Sequence, residues 1–204
     1  MDSELQWIIT RVDGKIASVD LDYNGLMRIA SVLSGMRPGL SKSKRRSAAA
    51  KARGLADSVT TEKVSTDELF RISAALEWED LRLFGTEFQI GVWRHLFELN
   101  HHGAEPKLLS YSEFATICGN RPGIRAVAHA VGLNPIPVII PCHWIIPKES
   151  TDRIAEIGQD ARSTIFKGTD IWIFDSIDFG QYALGTDVKR HILGREFSYG
   201  VPNE

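Results

Sequence analysis

A cysteine and a histidine stand side by side, Cys142 and His143, in "VIIPCHWIIP", an apolar run bracketed by Pro141 and Pro147. A thiolate is a strong nucleophile, but a free thiol with a pKa of about 8.5 is mostly protonated at neutral pH, so nucleophilic chemistry needs a base close by. His143 is the obvious acceptor. In extended backbone adjacent side chains point to opposite faces, so the proton reaches it only if the chain turns or a water bridges the gap. Such a histidine also needs a carboxylate to hold its tautomer and stabilise its cation. Spacing alone does not choose that carboxylate, and Glu196 in "VKRHILGRE" is one of many. The plain alternative is a core cysteine beside a satisfied core histidine, and the two residues by themselves leave both readings open. Cys118, Cys142, His101, His102 and His143 form no recognised ligand spacing, so neither a metal nor a cofactor is expected.

The elements around this pair must position it. Pro135, Pro137, Pro141 and Pro147 remove donors and restrain their predecessors, which predicts a strand-like wall that turns near Cys142. Upstream, Ser110 and Glu113 in "SYSEFATIC" have capping-box spacing and predict a helix from Ser110 that stops at Gly119. "NRP" makes a turn, Pro122 suits a first helical turn, and "GIRAVAHAVG" is a second helix ended by Gly132: the outline of a helix-turn-helix. On that second helix Arg125 and His129 lie four apart, flanked by the small Ala126 and Ala130, while Ile124, Val127 and Val131 can face inward. Small residues beside an arginine let a helix enter a nucleic-acid groove, and alanine-rich helices also simply pack well; periodicity leaves both open. "GTEFQIGVWRHLFEL" predicts another helix, capped by Thr86, with Phe88, Val92, Trp93, Leu96 and Leu99 on one face. After the cysteine run come a strand-like "DIWIFDSID", a turn and closing helix in "FGQYALGTDVKRHILGRE", and a loose tail, "SYGVPNE".

Nearer the N-terminus, residues 5–22 alternate apolar with polar around Asp13-Gly14 and predict a hairpin. Helical spacing follows from Asn24 through Leu26, Ile29, Ala30 and Leu33, and Pro38 breaks it. Residues 42–53 are basic and lack an apolar face, which fits a solvated linker or an arm on DNA. Thr66 to Glu77 is amphipathic with a cap at Ser65 or Thr66, and a boundary follows near Leu83 to Gly85.

The chain of 204 residues, 43% apolar and 25% charged, has the composition of a soluble globular protein that needs no disulfide or metal staple. The near balance of 24 Lys+Arg against 26 Asp+Glu argues against binding of nucleic acid by bulk charge; any contact would come from a few aimed donors and helix termini. Two cysteines suggest a reducing compartment, and neither a signal peptide nor a membrane-spanning run is apparent, so a cytoplasmic location is expected, or a nuclear one in a eukaryote.

Taken in order, "GTEFQIGVW", "SYSEFATICGNRPGIRAVAHAVGLNPIPVIIPCH" and "GQYALGTDVKRHILGRE" resemble the C-terminal domain of O6-alkylguanine-DNA alkyltransferases, also called methylated-DNA–protein-cysteine methyltransferases. The likeness runs from about Gly85 to Glu196 and implies an α+β chain. A small N-terminal α/β domain (1–84) would precede a mainly helical C-terminal domain (85–204), with a helix-turn-helix of winged-helix type, a cysteine turn and an inserted segment at about 149–178. By that resemblance Cys142 would accept an alkyl group from O6 of guanine, or O4 of thymine, once, as a thioether. His143 would deprotonate it through a water, Glu196 would orient the imidazole, Asn134 would brace the turn, and Tyr111 would donate a proton toward the departing base. Arg125 would fill the space of a flipped guanine on a helix that Ala126 and Ala130 let into the minor groove, and Ser112 and Asn120 would touch phosphates. Pro137, Tyr182 and the backbone at Ile145 would wall the pocket. The partner implied is double-stranded DNA carrying O6-alkylguanine, met by a monomer that needs no membrane.

Three departures stand out. Trp144 occupies a place where the family has arginine, exchanging fixed charge for bulk and one N–H; this reads either as repacking against the following segment or as an altered pocket and pairing around Glu196. The segment after Lys148 is long enough to carry structure of its own. Ala183 and Leu184 follow Tyr182 where serine and glycine are common, which bears on pocket size. A second class of function, a sensor that flips alkylated guanine without accepting the group, fits the same resemblance. A cysteine hydrolase would need an oxyanion hole to which nothing points.

Overall fold

The structure is a computed structural model that describes residues 5–22, 59–100, 107–157 and 177–199. The expected helix from Asn24, the basic stretch 42–53, His101 and His102, most of "DIWIFDSID" and the end of the tail lie outside those residues. The chain forms two compact units, one of residues 1–94 with 133–140 and the other of residues 95–132 with 141–204.

In the first unit β1 (Gln6–Val12) and β2 (Lys15–Asp20) form the expected hairpin. Asp13 and Gly14 both take positive φ, 51° and 78°, as a two-residue turn matched to strand twist requires. A third strand, β3 (Val59–Ser65), pairs antiparallel with β1 from Val12↔Val59 to Gln6↔Ser65, so the sheet order is β2-β1-β3. Ser65 then caps α1 (Thr66–Ala74): its Oγ accepts from Glu68 N while Glu68 Oε2 accepts from Ser65 N. The helix is three residues shorter than its amphipathic text suggests, and the indole of Trp7 ties it to β1 by donating to Thr66 Oγ1 at 3.0 Å.

α2 (Glu87–Asn100) starts at Thr86, whose Oγ1 accepts from Gln89 N at 3.2 Å. Val92, Trp93 and Leu96 are buried as expected, but Phe88, in the first turn of the helix, is 41% exposed. In the second unit, β4 (Leu109–Ser110) leads into α3 (Tyr111–Ile117), and Gly119, at φ 67°, ends that helix. A 3-10 turn (Arg121–Gly123) carries the chain into α4 (Ile124–Gly132), giving helix, turn, helix in the anticipated places. Val127, Ala130 and Val131 form the buried stripe of α4, whereas Ile124 is exposed at its first position.

No antiparallel wing follows α4 among the described residues. The chain turns, passes through a 3-10 turn (Cys142–Trp144) and enters the short β5 (Ile145–Ile146), which pairs parallel with β4. α5 (Lys148–Ile157) begins the extra segment, and α6 (Thr186–Tyr199) closes the fold. The protein is therefore α+β. Among the described residues no helix is long and apolar enough to cross a membrane.

Candidate active site

The approach to the cysteine is a braced turn, not the strand-like wall that four prolines suggest. Asn134, 4% exposed, donates from Nδ2 to Ile140 O at 2.7 Å and accepts at Oδ1 from Ile136 N at 3.0 Å. Ile140 N also donates to Ile136 O at 2.9 Å, and Pro137 and Ile140 form an isolated bridge. Closing so tight a loop drives Val138 to φ 74°, a costly place for a β-branched residue that survives only where surrounding bonds over-determine it. Pro135 O accepts from Val19 N at 3.0 Å, anchoring the turn to the hairpin.

Cys142, His143 and Trp144 then form one 3-10 turn, closed by Trp144 N donating to Pro141 O and Ile145 N donating to Cys142 O. Neighbouring side chains on such a turn are not forced to opposite faces as on a strand, which removes the geometric objection to adjacent cysteine and histidine. The imidazole is fully buried, and its Nε2 lies 2.9 Å from Glu196 Oε2. A carboxylate can only accept, so that bond places the proton of a neutral imidazole on Nε2 and leaves the lone pair on Nδ1. Nδ1 is buried and has no hydrogen-bond partner among the described residues. A buried ring with one nitrogen committed to a carboxylate and the other bare is arranged as a base.

Around the thiol stand Tyr182, Tyr111 and Lys189. Cys142 Sγ lies 3.8 Å from Tyr182 Oη, within reach of a weak S–H donation. Burial pushes the Tyr111 phenol above its usual range, and negative charge at Cys142 pushes it further, so Tyr111 keeps its proton and remains a donor. Tyr111 is placed by α3, whose cap is a closed box: Ser110 N donates to Glu113 Oε2 at 2.8 Å, and Glu113 N donates to Ser110 Oγ at 3.2 Å. Ser110's side chain, then its backbone N–H, hold the Glu113 carboxyl below its usual range.

Lys189, 1% exposed, is the residue that motif reasoning missed. Its Nζ donates to Ile145 O at 2.8 Å and Phe179 O at 2.6 Å, and lies 5.9 Å from the centre of the Tyr182 ring. It therefore ties the strand leaving the cysteine turn to the loop that carries Tyr182. Burial pushes its ammonium down to about 8, partly opposed by negative charge at Cys142 and Asp178. The signal was in the letters: Lys189, Ile192, Leu193 and Glu196 fall at i, i+3, i+4 and i+7, so both charges of α6 that serve the site sit on its apolar stripe. The same count would have singled out Glu196 from the other carboxylates.

Other expected site residues lie as follows. Trp144 is fully buried, packed with Ile146, Ile154, Ile177, Phe179 and Leu193, so it belongs to the core and not to a pocket surface. Its Nε1 donates to Glu196 Oε2 at 2.7 Å, so repacking against the extra segment and pairing with Glu196 both occur. Ile145 is buried with its carbonyl committed to Lys189, Pro137 is buried, Tyr182 is half-buried and Ala183 is exposed. Arg125, Ala126 and His129 are exposed on α4, but Ala130 is 1% exposed, because the i, i+3, i+4 stripe with Val127 and Val131 turns its methyl inward. Ser112 Oγ is 3.0 Å from Ser110 Oγ in the first turn of α3, and Asn120 precedes the 3-10 turn with its side chain against Gly123. Among the described residues no group of three or more His, Cys, Asp or Glu could hold a metal ion.

Comparison with known proteins agrees with this arrangement. The family described as "6-O-methylguanine DNA methyltransferase, DNA binding domain" matches residues 87–162. A probable methylated-DNA–protein-cysteine methyltransferase of Acanthamoeba polyphaga mimivirus is 41% identical over 71 residues, 35% of this chain and 45% of that protein. A methylated-DNA–protein-cysteine methyltransferase of Methanosarcina barkeri is 35% identical over 126 residues, 61% of this chain and 60% of that protein. The chain thus spans less than two thirds of these relatives' lengths. The crystal structure of O6-methylguanine-DNA methyltransferase from Pyrococcus kodakaraensis superposes with a TM-score of 0.53 at 18% identity, covering 98% of this chain and 95% of that one, a likeness of fold. Over residues 87–162, a span that holds both the helix-turn-helix text and the cysteine turn, the chain is similar to the DNA-binding domain of 6-O-methylguanine DNA methyltransferases.

Proposed function

We propose that the protein repairs alkylated DNA by moving the alkyl group of O6-alkylguanine, and by the same chemistry O4-alkylthymine, onto Cys142 in a single turnover. The observation that carries this reading is the buried His143, with Nε2 on Glu196, Nδ1 bare and the thiol of Cys142 on the same turn. The Cys142 proton passes through a water to Nδ1, and the imidazolium is stabilised by the Glu196 carboxylate. The Lys189 ammonium, whose proton is held on by charge at Cys142, favours the thiolate in return.

The thiolate sulfur attacks the alkyl carbon in line. A C–S bond forms as the C–O6 bond breaks, the electron pair goes to the guanine, and Tyr111, kept protonated by burial, donates a proton to the departing base. The thioether product has no leaving group that ordinary thiols displace, so each chain acts once. No step needs a cofactor or metal.

The target base must leave the duplex, which costs a few kcal/mol and calls for a plug. In this reading the exposed Arg125 of α4 is that plug and Ala126 gives clearance at the minor groove, while the inward Ala130 supports the helix from behind. Ser112 and Asn120 touch phosphates from the ends of α3, a local arrangement that suits a chain of formal net charge -2. Tyr182 and Ala183 border the pocket, residues 85–204 form the working domain with 1–84 as scaffold, and the protein acts as a cytoplasmic or nuclear monomer.

The test is intact mass after incubation with duplex DNA containing O6-methylguanine. One methyl addition, absent in Cys142→Ser, is the expected result. Tight lesion binding with unchanged mass would overturn transfer and leave the sensor.

A further inference from the structure

We propose that Trp144 is a positioning residue of the thiol site: its indole N–H and the imidazole N–H of His143 converge on one oxygen of Glu196 and together fix the base. The distances are 2.7 Å from Trp144 Nε1 and 2.9 Å from His143 Nε2, both to Oε2. Glu196 is only 12% exposed at its side chain, so solvent has little part in orienting it. A carboxylate on a helix side chain can swing about its last bonds. Two donors on the same oxygen, one from a ring that cannot move, remove that freedom.

The ring cannot move because it is clamped. Trp144 has no exposed surface and packs with Ile146, Ile154, Ile177, Phe179 and Leu193, which come from β5, α5, the stretch before α6 and α6 itself. The segment after Lys148 thereby acts on the chemistry through packing, as the scaffold of the ring that aims Glu196. The His143 and Trp144 rings stand edge to face, 6.2 Å apart at 76°, so imidazole and indole do not compete for the same space.

Charge sharpens the argument. An indole N–H is neutral, so it orients the carboxylate without cancelling its charge, which stays available to the imidazolium formed when His143 takes the thiol proton. A cationic donor at the same place would aim Glu196 equally well and weaken its hold on that imidazolium.

The inference rests on Cys142 being an alkyl acceptor for its biological meaning, but its test does not. In the full chain Trp144 is replaced by 3-benzothienylalanine, which keeps the ring's size and puts sulfur where the N–H was; Trp144→Phe is the second variant, should the first not fold. Three quantities are compared with the unmodified protein: the tautomer of His143 by long-range 15N spectra, the rate of iodoacetamide alkylation at Cys142 by peptide mass, and the rate of methyl transfer from lesion DNA. Peptide mapping is needed because Cys118 is a second free thiol, half-buried and raised to about 11 by burial. The expected result is loss of the uniform Nε2–H tautomer and roughly a tenfold fall in both rates, the scale of one hydrogen bond to a charged group. Melting should change little in the benzothienyl protein. An unchanged tautomer and unchanged alkylation rate would overturn the inference. If the unmodified protein alkylates normally but takes no methyl from DNA, the repair reading fails while the first two comparisons still decide the role of Trp144.

Discussion

Replacing Lys189 with methionine keeps most of the stem and removes the ammonium, so two opposing effects separate by pH. The side chain donates to Ile145 O at 2.8 Å and to Phe179 O at 2.6 Å, both in buried residues. Leaving each buried acceptor unpaired costs about 1–3 kcal/mol, or roughly 2–6 kcal/mol for the pair. Against this, the natural protein carries a buried charge. Burial lowers the Lys189 pKa from 10.5 to about 8. At 1.36 kcal/mol per unit that is a penalty of roughly 3 kcal/mol, which methionine does not incur.

Below pH 8 lysine is charged both folded and unfolded, so the penalty is present in full and the net effect of Lys189→Met should lie between a gain of about 1 kcal/mol and a loss of about 3 kcal/mol. Between about 8 and 10.5 the unfolded chain holds more protons than the folded one, so the stability of the natural protein rises with pH. The difference between the two proteins should therefore widen by roughly 3 kcal/mol across that window. Urea unfolding at a series of pH values measures it, with Cys142→Ser in both chains to remove the thiolate that holds the amine's proton on; without that charge the amine's pKa falls further and the rise begins at a lower pH. Tyr111 and Tyr182 remain in both and cancel to first order. A difference that stays flat, or narrows toward pH 10, would refute the account of Lys189 as a buried amine held against its desolvation.

Asn134→Ala removes the two side-chain bonds that brace the strained Val138 turn and should destabilise by about 2–4 kcal/mol in urea unfolding; a cost under about 1 kcal/mol would show that the turn holds without its brace. Arg125→Ala, on an exposed position of α4, should leave stability within about 0.5 kcal/mol, lower methyl transfer from duplex DNA by tenfold or more, and spare reaction with free O6-methylguanine base; equal losses on both substrates would contradict its role as a plug.

What could be read from the letters was whatever local chemistry determines. Asp13-Gly14 and Ser110 with Glu113 each specify a turn or cap within four residues and occur where the spacing places them, and of the two caps open before the amphipathic helix, Ser65 and Thr66, the structure uses Ser65. β3 went unread because it is held by β1 across more than forty intervening residues. Between the half-buried Val59 and the buried Val64 it has four exposed polar residues, Thr60 to Lys63, so no alternation marks it. Phe88 and Ile124 misled for a different reason. Helical period tells which face a residue is on, but not that a residue in the first turn lies past the end of what it would pack against. The cysteine approach was misread because prolines constrain φ one residue at a time, whereas the turn is decided by a buried asparagine reaching six residues ahead to Ile140. In each failure the deciding partner lay outside the window in which a propensity acts.

Trp144 shows how such a distant partner changes the meaning of a single letter. Judged against the resemblance alone, tryptophan in an arginine position loses a charge and weakens the case for chemistry. In the structure the same ring is surrounded by Ile146, Ile154, Ile177, Phe179 and Leu193, two of which, Ile154 and Ile177, belong to the extra segment after Lys148. Burying a guanidinium in that cluster would cost several kcal/mol beyond what one carboxylate returns, while an indole has the apolar area to fill the site and a single N–H to direct. The substitution and the longer segment are then one change: the apolar cover makes a charged donor untenable, and the neutral donor lets the cover form without giving up the contact to Glu196.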